Sequence, residues 1–259
     1  MKLKYPAEAF ALGIILFSAG MKEAFAAGVL LIVSVVFAEF LKNLLEKTVP
    51  AWSLHACTYL STGTICSSAF LVSFAFLGNA LTTGTWLMTF LAGLLCARHV
   101  LTDTIDGEYG ELFLESAFAW GFWILLAIIR EFMGSGMVFG NMIQDGLAFQ
   151  SKAFLGNTFA FLTAGLVLAF TNGVLKKNCR GLNNLFVVIP AAILVRPFTI
   201  ASLTGIWEYV GIAWTIIVPI LLFLSVKQIL KFSKVSNAYR GLPADLLATG
   251  FIYMILSIY

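Results

Sequence analysis

Apolar runs of roughly 20 residues follow one another along the whole chain, separated by short polar stretches. A helix needs about 20 apolar residues to cross a hydrocarbon core of about 30 Å, so this pattern predicts membrane-spanning helices. The predicted spans are 6–20, 24–41, 52–78, 84–99, 112–133, 153–175, 183–203, 208–228 and 243–259. The first and fourth are short for a full crossing, which is typical of half-helices.

The composition agrees with this pattern. Hydrophobic residues make up 60% of the chain, charged residues 11%, and the mean hydropathy is +0.95. Soluble domains contain about 25% charged residues, so these values indicate an integral membrane protein whose surroundings are the lipid bilayer. The net charge of +3 gives no indication of nucleic-acid binding.

Lysine and arginine positions predict the orientation. With a cytoplasmic N-terminus and nine spans, twelve of the 16 Lys and Arg residues fall on the cytoplasmic side. Such an excess is expected of cytoplasmic loops. We therefore predict a multi-pass protein with its N-terminus in the cytoplasm.

Two segments of the chain are repeated. Phe10-Ala-Leu-Gly-Ile-Ile-Leu16 is similar to Phe90-Leu-Ala-Gly-Leu-Leu-Cys96, and Val36-Phe-Ala-Glu-Phe-Leu41 is similar to Ile128-Ile-Arg-Glu-Phe-Met133. Three spans per copy is an odd number, so the second copy would insert upside down relative to the first. Inverted repeats with glycine-interrupted short spans indicate a transport path near the bilayer midplane. The equivalent glycines Gly13 and Gly93 are the predicted half-helix breaks.

Ionisable side chains inside spans are costly, so they are candidates for function. The candidates within the predicted spans are Glu39, Glu115, Arg130, Glu131, Arg196 and Glu208. We assign the first four of these to an ion path or to coupling. Arg130 and Glu131 are adjacent and point in different directions on a helix, so they do not simply neutralise each other. For this pair, extension to the membrane interface is the alternative interpretation.

Enzyme motifs are absent from the sequence, which contains no Ser-His-Asp pattern, no HExxH and no dinucleotide fingerprint. We therefore predict no catalytic residue. The four cysteines have no CxxC spacing, and buried packing is the alternative interpretation for Cys57, Cys66 and Cys96.

Three segments resemble one known family. Ala11-Leu-Gly-Ile14 resembles its opening half-helix, Ile128–Gly140 resembles its arginine–glutamate, glycine-rich segment, and Leu162–Phe170 is similar to its last span. The family is the small, six-span membrane subunits of the Rnf and Nqr complexes, which include the paired subunits RnfA and RnfE or NqrD and NqrE. The likeness covers residues 1–175, predicted as a six-span unit, and leaves 176–259 as a three-span extension.

The resemblance implies two inverted three-span repeats and a pseudo-symmetric paralogous partner in a prokaryotic cytoplasmic membrane. It also implies a [2Fe–2S] cluster shared by the two subunits, each giving a cysteine from each half-helix. Flavins would be bound by other membrane and peripheral redox subunits, and electron transfer would be coupled to sodium or proton movement.

This chain departs from that pattern at the ligand positions. The first position falls near Ile15, and the second falls near Leu95, beside Cys96. A [2Fe–2S] cluster normally needs four thiolates or close substitutes. Cys96 is therefore the candidate metal or cofactor ligand, and we expect no cofactor to be bound by this chain alone.

Three functions remain open from the sequence. The first is a membrane subunit of an Rnf- or Nqr-like redox-driven ion-translocating complex that has lost its cluster ligands. The second is a stand-alone secondary transporter for a small solute or ion, with half-helix termini as its binding site. The third is a non-catalytic assembly subunit of another membrane complex. The all-α fold of three plus three spans and a three-span extension is common to all of them.

Overall fold

The computed structural model describes residues 3–102, 109–144, 146, 148, 150–177, 184–195, 206–229 and 237–256. Their α-helices are Ala7–Phe17 (α1), Met21–Leu45 (α2), Ala51–Phe76 (α3), Thr83–Thr102 (α4), Tyr109–Ser135 (α5), Asn157–Leu175 (α6), Leu185–Val195 (α7), Ile206–Ile229 (α8) and Leu242–Leu256 (α9). Two short 3₁₀ helices cover Lys152–Leu155 and Asn237–Tyr239.

One small hairpin interrupts the helical pattern. Strand β1 (Met137–Val138) pairs antiparallel with strand β2 (Asn141–Met142) directly after α5. Its turn holds Phe139 at φ 57° and Gly140 at φ 74°. Glycine adopts this left-handed conformation without steric cost, so it suits the turn.

Five helices, α2 to α6, are long and apolar enough to cross a membrane. This agrees with the predicted all-α membrane protein. α1 has 11 residues, about 16 Å of helix, so it is short as predicted. α4 has 20 residues, which is about 30 Å of helix, so the prediction of a short fourth span was wrong. The predicted span ended at His99, whereas the helix continues to Thr102.

The helices pack around α1. It contacts α2, α4, α6 and α7, while α2 packs along α5, and α3 packs closely on α4. α9 packs on α6, and α8 contacts α7 and α9. Apart from Leu16, every residue of α1 is buried. Large apolar side chains that remain exposed face away from this core, as expected of surfaces that meet lipid: Val33, Phe40, Leu60, Val72, Leu125 and Ile129.

The two ends of the bundle differ in character. One end, which we name the basic end, holds Lys4, Lys42, Arg98 and Lys177. The other, the hairpin end, holds Lys22 and the β1–β2 hairpin. α1 and α5 run from the basic end to the hairpin end, and α2 runs the opposite way, since Tyr109 of α5 bonds to Asn43 of α2 and Glu131 of α5 bonds to Met21 of α2.

Candidate functional site at the ends of the first helix

Glu115 holds the chain that enters α1 at the basic end. Its Oε2 accepts hydrogen bonds from the backbone amides of Lys4 (2.7 Å) and Tyr5 (3.4 Å). Its Oε1 forms a buried ion pair with Lys177, which follows α6. The cation and the two backbone amides together offset the desolvation cost of burying this carboxylate.

A second set of contacts fixes the same end to α4. Arg98 pairs with Glu8 in the first turn of α1 at 3.2 Å, and its guanidinium lies 4.5 Å from the ring centre of Phe186. The His99 Nε2 lies 2.7 Å from the carbonyl oxygen of Lys4. Because a carbonyl can only accept, the imidazole nitrogen is the donor. The last turn of α4 is therefore tied to the start of α1.

Arg130 holds the chain at the hairpin end. Its Nε donates to the carbonyl of Phe154 at 2.6 Å, and its second amino group donates to the carbonyls of Leu155 (3.0 Å) and Gly156 (2.7 Å). Its remaining nitrogen donates to the hydroxyl of Ser18, just after α1. Only 2% of Arg130 is exposed. The planar guanidinium thus satisfies the end of the 3₁₀ helix and the end of α1 together.

Glu131 points to the start of α2. Its Oε2 accepts from the amide of Met21, and its Oε1 accepts from the amide of Gly140 in the hairpin turn, both at 2.8 Å. A carboxylate at a helix N-terminus is stabilised by the free amides and by the helix dipole. As the sequence predicted, Arg130 and Glu131 do not pair, since each is bonded to a different loop.

The contacts of α5 to α1 have counterparts between α2 and α4. Glu23 accepts a hydrogen bond from the Asn79 side chain, ahead of α4, at 2.7 Å. Lys42 donates to the carbonyl of Val100, near the end of α4, at 3.1 Å. α2 therefore holds α4 by a glutamate at one end and a cation at the other, as Glu115 and Arg130 of α5 hold α1. We name these two sets of contacts the reciprocal clamps.

Glu39 is buried beneath the basic end, with 1% of its surface exposed. Its Oε1 accepts a hydrogen bond from Asn43 at 3.3 Å, and the Asn43 amide also bonds to the Tyr109 hydroxyl at 2.7 Å. Glu39 is thus linked to the α5 side of α2. It belongs to a different group of contacts from Glu131, its equivalent in the repeat.

Neither Gly13 nor Gly93 interrupts its helix, which corrects the predicted half-helix breaks. α1 and α4 run through them without a break. Both glycines instead allow close packing. A Cβ at Gly93 would lie 2.7 Å from the Cβ of Cys66 and 2.8 Å from the carbonyl of Thr62, and one at Gly13 would lie 2.7 Å from the side chain of Leu31.

Cys96 does not fit the cluster that the resemblance implies. Its side chain is fully buried against α3, with Cys66 as its neighbour, while the position that would supply the second thiolate is the apolar Ile15. Cys57 is exposed on α3. Within the described residues no three His, Cys, Asp or Glu side chains form a group that could hold a metal ion. With its side chain fully buried, Cys96 presents no exposed surface to a partner subunit.

A cavity of about 550 Å³ opens at the hairpin end. Its charged and polar lining comes from Lys22, Glu23, Asn79 and Glu131, and Phe17 forms part of its apolar wall. The ammonium of Lys22 lies 5.6 Å from the ring centre of Phe139. The cavity therefore lies directly beyond the end of α1.

Some partners of the site were missed from the sequence, while some predicted residues cannot be placed. Ser18, Lys42 and Lys177 gave no signal, because a single hydroxyl or an interfacial lysine is common in any membrane protein. Arg196 lies outside the described residues, and Glu208 lies on α8, where its side chain is not described.

Comparison with models of protein families, with curated proteins and with solved structures found no significant match.

Proposed function

We propose that the chain is an integral membrane subunit of a redox-driven sodium- or proton-translocating complex that resembles the Rnf and Nqr complexes. In this role it holds no cluster. It serves as a scaffold and an ion path, while partner subunits carry the flavins and the iron–sulfur centres.

The observation that carries the proposal is the pair of reciprocal clamps. In an inverted repeat of three plus three helices, α1 corresponds to α4 and α2 corresponds to α5. The contacts of Glu115 and Arg130 with the flanks of α1 then correspond to those of Glu23 and Lys42 with the flanks of α4. The helix pairs agree with this correspondence, since α3 packs on α4 as α6 packs on α1, and α2 packs on α3 as α5 packs on α6.

A second support is the segment with the most specific likeness to the family. Ile128–Gly140 contains Arg130 and Glu131, and both are buried where a long helix, a hairpin and the end of α1 meet. The glycine-rich part of the segment runs from the end of α5 into the hairpin. Its turn has a glycine at φ 74° whose amide is bonded to Glu131. The residues that carry the likeness therefore form one connected unit.

The stand-alone transporter remains the second candidate, and the cavity at the hairpin end is the observation that favours it. The cavity combines a cation, two carboxylates and apolar walls, as small-solute sites often do. In this alternative the chain works without redox partners.

Gentle extraction of the chain from native membranes, followed by identification of its partners and assay of iron and flavin, tests the proposal. Co-purifying flavoprotein and iron–sulfur subunits are the expected result. A single colourless species would contradict it and would direct the work to solute-transport assays.

Two variants sharpen this experiment. Cys96→Ala should leave the iron content per complex unchanged, because the buried thiol does not reach a partner, so a loss of iron would contradict the cluster-free part of the proposal. Arg130→Ala should lower the yield of the complex, since it frees the end of α1. Lys152→Ala, an exposed cation on the same loop, is the matched control.

A further inference from the structure

We infer that α3 carries a proton path which runs from the basic end to the middle of the bundle and which is closed there by a cluster of phenylalanine rings. The inference rests on the proposed role in ion transport and names the route that the ion takes in this chain. It is carried by two orphaned hydroxyls, a thiol, an aromatic cluster and the cavity at the hairpin end.

The buried residues of α3 include a row with one member per turn. The row is Leu54, Thr58, Thr62, Cys66, Phe70 and Phe74, and all six are buried. After Leu54, the next three members carry a hydroxyl or a thiol, and the last two are phenylalanines. A spacing of four residues places neighbours about 6 Å apart along the helix.

The hydroxyls of Thr58 and Thr62 are fully buried and have no hydrogen-bond partner among the described residues. This is unusual for the chain, because five other helical threonines donate to the carbonyl four residues earlier. These are Thr64, Thr102, Thr163, Thr171 and Thr249. A buried hydroxyl without a partner costs about 1–3 kcal/mol. Two in succession therefore indicate a ligand that satisfies them.

That ligand is water, and its motion along the row carries protons. A water molecule bridges two oxygens about 5.5 Å apart, because each O–H···O bond is about 2.7–2.8 Å long. This matches the spacing of Thr58, Thr62 and Cys66. The Cys66 thiol in turn lies near the Ser34 hydroxyl on α2. Hydroxyls and water both accept and donate a proton, so a proton enters at one end as another leaves at the other.

A hydrated or coordinated metal cation fits the row poorly. Hard cations such as Ca²⁺ and Mg²⁺ take six or more oxygen ligands. The row offers one polar group per turn, and the contact of α3 with α4 at Gly93 is too close for extra ligands. The route therefore suits protons.

Three aromatic rings end the polar part of the row. Phe17 at the end of α1 lies 5.4 Å from Phe70 and 4.7 Å from Phe74, measured between ring centres, and Phe70 lies 5.9 Å from Phe74. All three are at least nine-tenths buried. Phe17 also lines the cavity at the hairpin end. The rings thus separate that cavity from the row of hydroxyls and form the closed gate of the path.

Proton flux into liposomes that contain only the purified chain tests the inference. A potassium diffusion potential drives the flux, and an entrapped pH dye reports it. Wild-type protein should leak slowly. Phe70→Ala should raise the rate about tenfold or more, as a barrier lower by about 1.4 kcal/mol would give.

Adding Thr62→Val to Phe70→Ala should return the leak toward the wild-type rate, because valine keeps the shape and removes the hydroxyl. Phe161→Ala is the control, since Phe161 is an equally buried ring that packs on Tyr253, away from the path. Should Phe70→Ala not yield a monodisperse protein, Phe70→Leu replaces it, with a smaller rise expected.

An unchanged leak in both Phe70 variants, an equal leak in Phe161→Ala, or a leak that Thr62→Val does not reduce would each overturn the inference. A sodium flux of the same size, followed with a sodium dye, would overturn the assignment to protons. None of these results bears on which subunits co-purify with the chain. Failure of the path and failure of the proposed complex are thus distinguishable.

Discussion

Substitution of Arg130 should destabilise the protein more than any change of an exposed cation. Arg130→Met introduces an apolar side chain of similar length and removes four hydrogen bonds. Three of them go to the carbonyls of Phe154, Leu155 and Gly156, and one goes to the Ser18 hydroxyl.

The magnitude follows from the acceptors left behind. Loss of a partner for a buried polar group costs about 1–3 kcal/mol, but the cost of burying the charge disappears with the arginine. We therefore expect a net loss of about 3–5 kcal/mol, the range for breaking a buried charged contact. For a chain of this size that corresponds to a fall of roughly 6–20 °C in the unfolding temperature.

Thermal unfolding in mild detergent, followed by tryptophan fluorescence, measures this change. Trp123 is a suitable reporter because it is fully buried on α5 and faces Phe10 of α1. The unfolding temperature of Arg130→Lys should lie between those of wild type and Arg130→Met. A single ammonium cannot reach all the acceptors that the wider guanidinium contacts. Lys152→Ala should unfold like wild type. An Arg130→Lys variant with wild-type stability would refute the role assigned to the planar fork.

Three further predictions concern the remaining contacts. Glu115→Leu should cost about 3–5 kcal/mol, because it leaves the Lys177 ammonium buried without a carboxylate, whereas the double variant Glu115→Leu/Lys177→Met should cost clearly less. Thermal unfolding of wild type, Glu115→Leu, Lys177→Met and the double variant forms a double-mutant cycle that checks both expectations. Gly93→Ala should cost about 1–3 kcal/mol because its Cβ would force α3 and α4 apart, while Gly121→Ala, whose Cβ meets no atom within 4 Å, should be neutral or stabilising in the same assay. Glu131→Gln should expose the hairpin to proteolysis, because glutamine offers one acceptor oxygen to the two backbone N–H groups and its NH2 group would face the other N–H donor. Equal digestion rates of variant and wild type would contradict this.

The helices themselves could be predicted to within a few residues where an apolar run ends in polar loop residues, as in α2 and α6. The predicted fourth span ended too early, at His99, although the helix continues to Thr102. Arg98 and His99 are polar residues near the end of this span. They remain helical because Glu8 and the Lys4 carbonyl, about ninety residues away, satisfy them.

The same distance in sequence explains what was missed at the site. Burial of Glu115, Arg130 and Glu131 was predictable from the apolar residues around them. Their partners were not, because seven of their hydrogen bonds go to backbone groups, which leave no trace in the identity of the residue. The direction of Cys96 also depends on how closely α4 approaches α3, and that is decided by Gly93 together with Gly63.

The reciprocal clamps also distinguish between the two leading functions. A secondary transporter built on inverted repeats commonly works by rocking one repeat against the other. Here such a motion would break the contacts of Arg130 and Glu115 with the ends of α1, because α5 and α1 would belong to different repeats. Breaking buried charged contacts costs several kcal/mol. A subunit that keeps its helices fixed, passes protons along one row of side chains and leaves the redox chemistry to its partners needs none of these contacts to break. The rigid fastening of α1 and α4 therefore argues for a subunit of a larger complex.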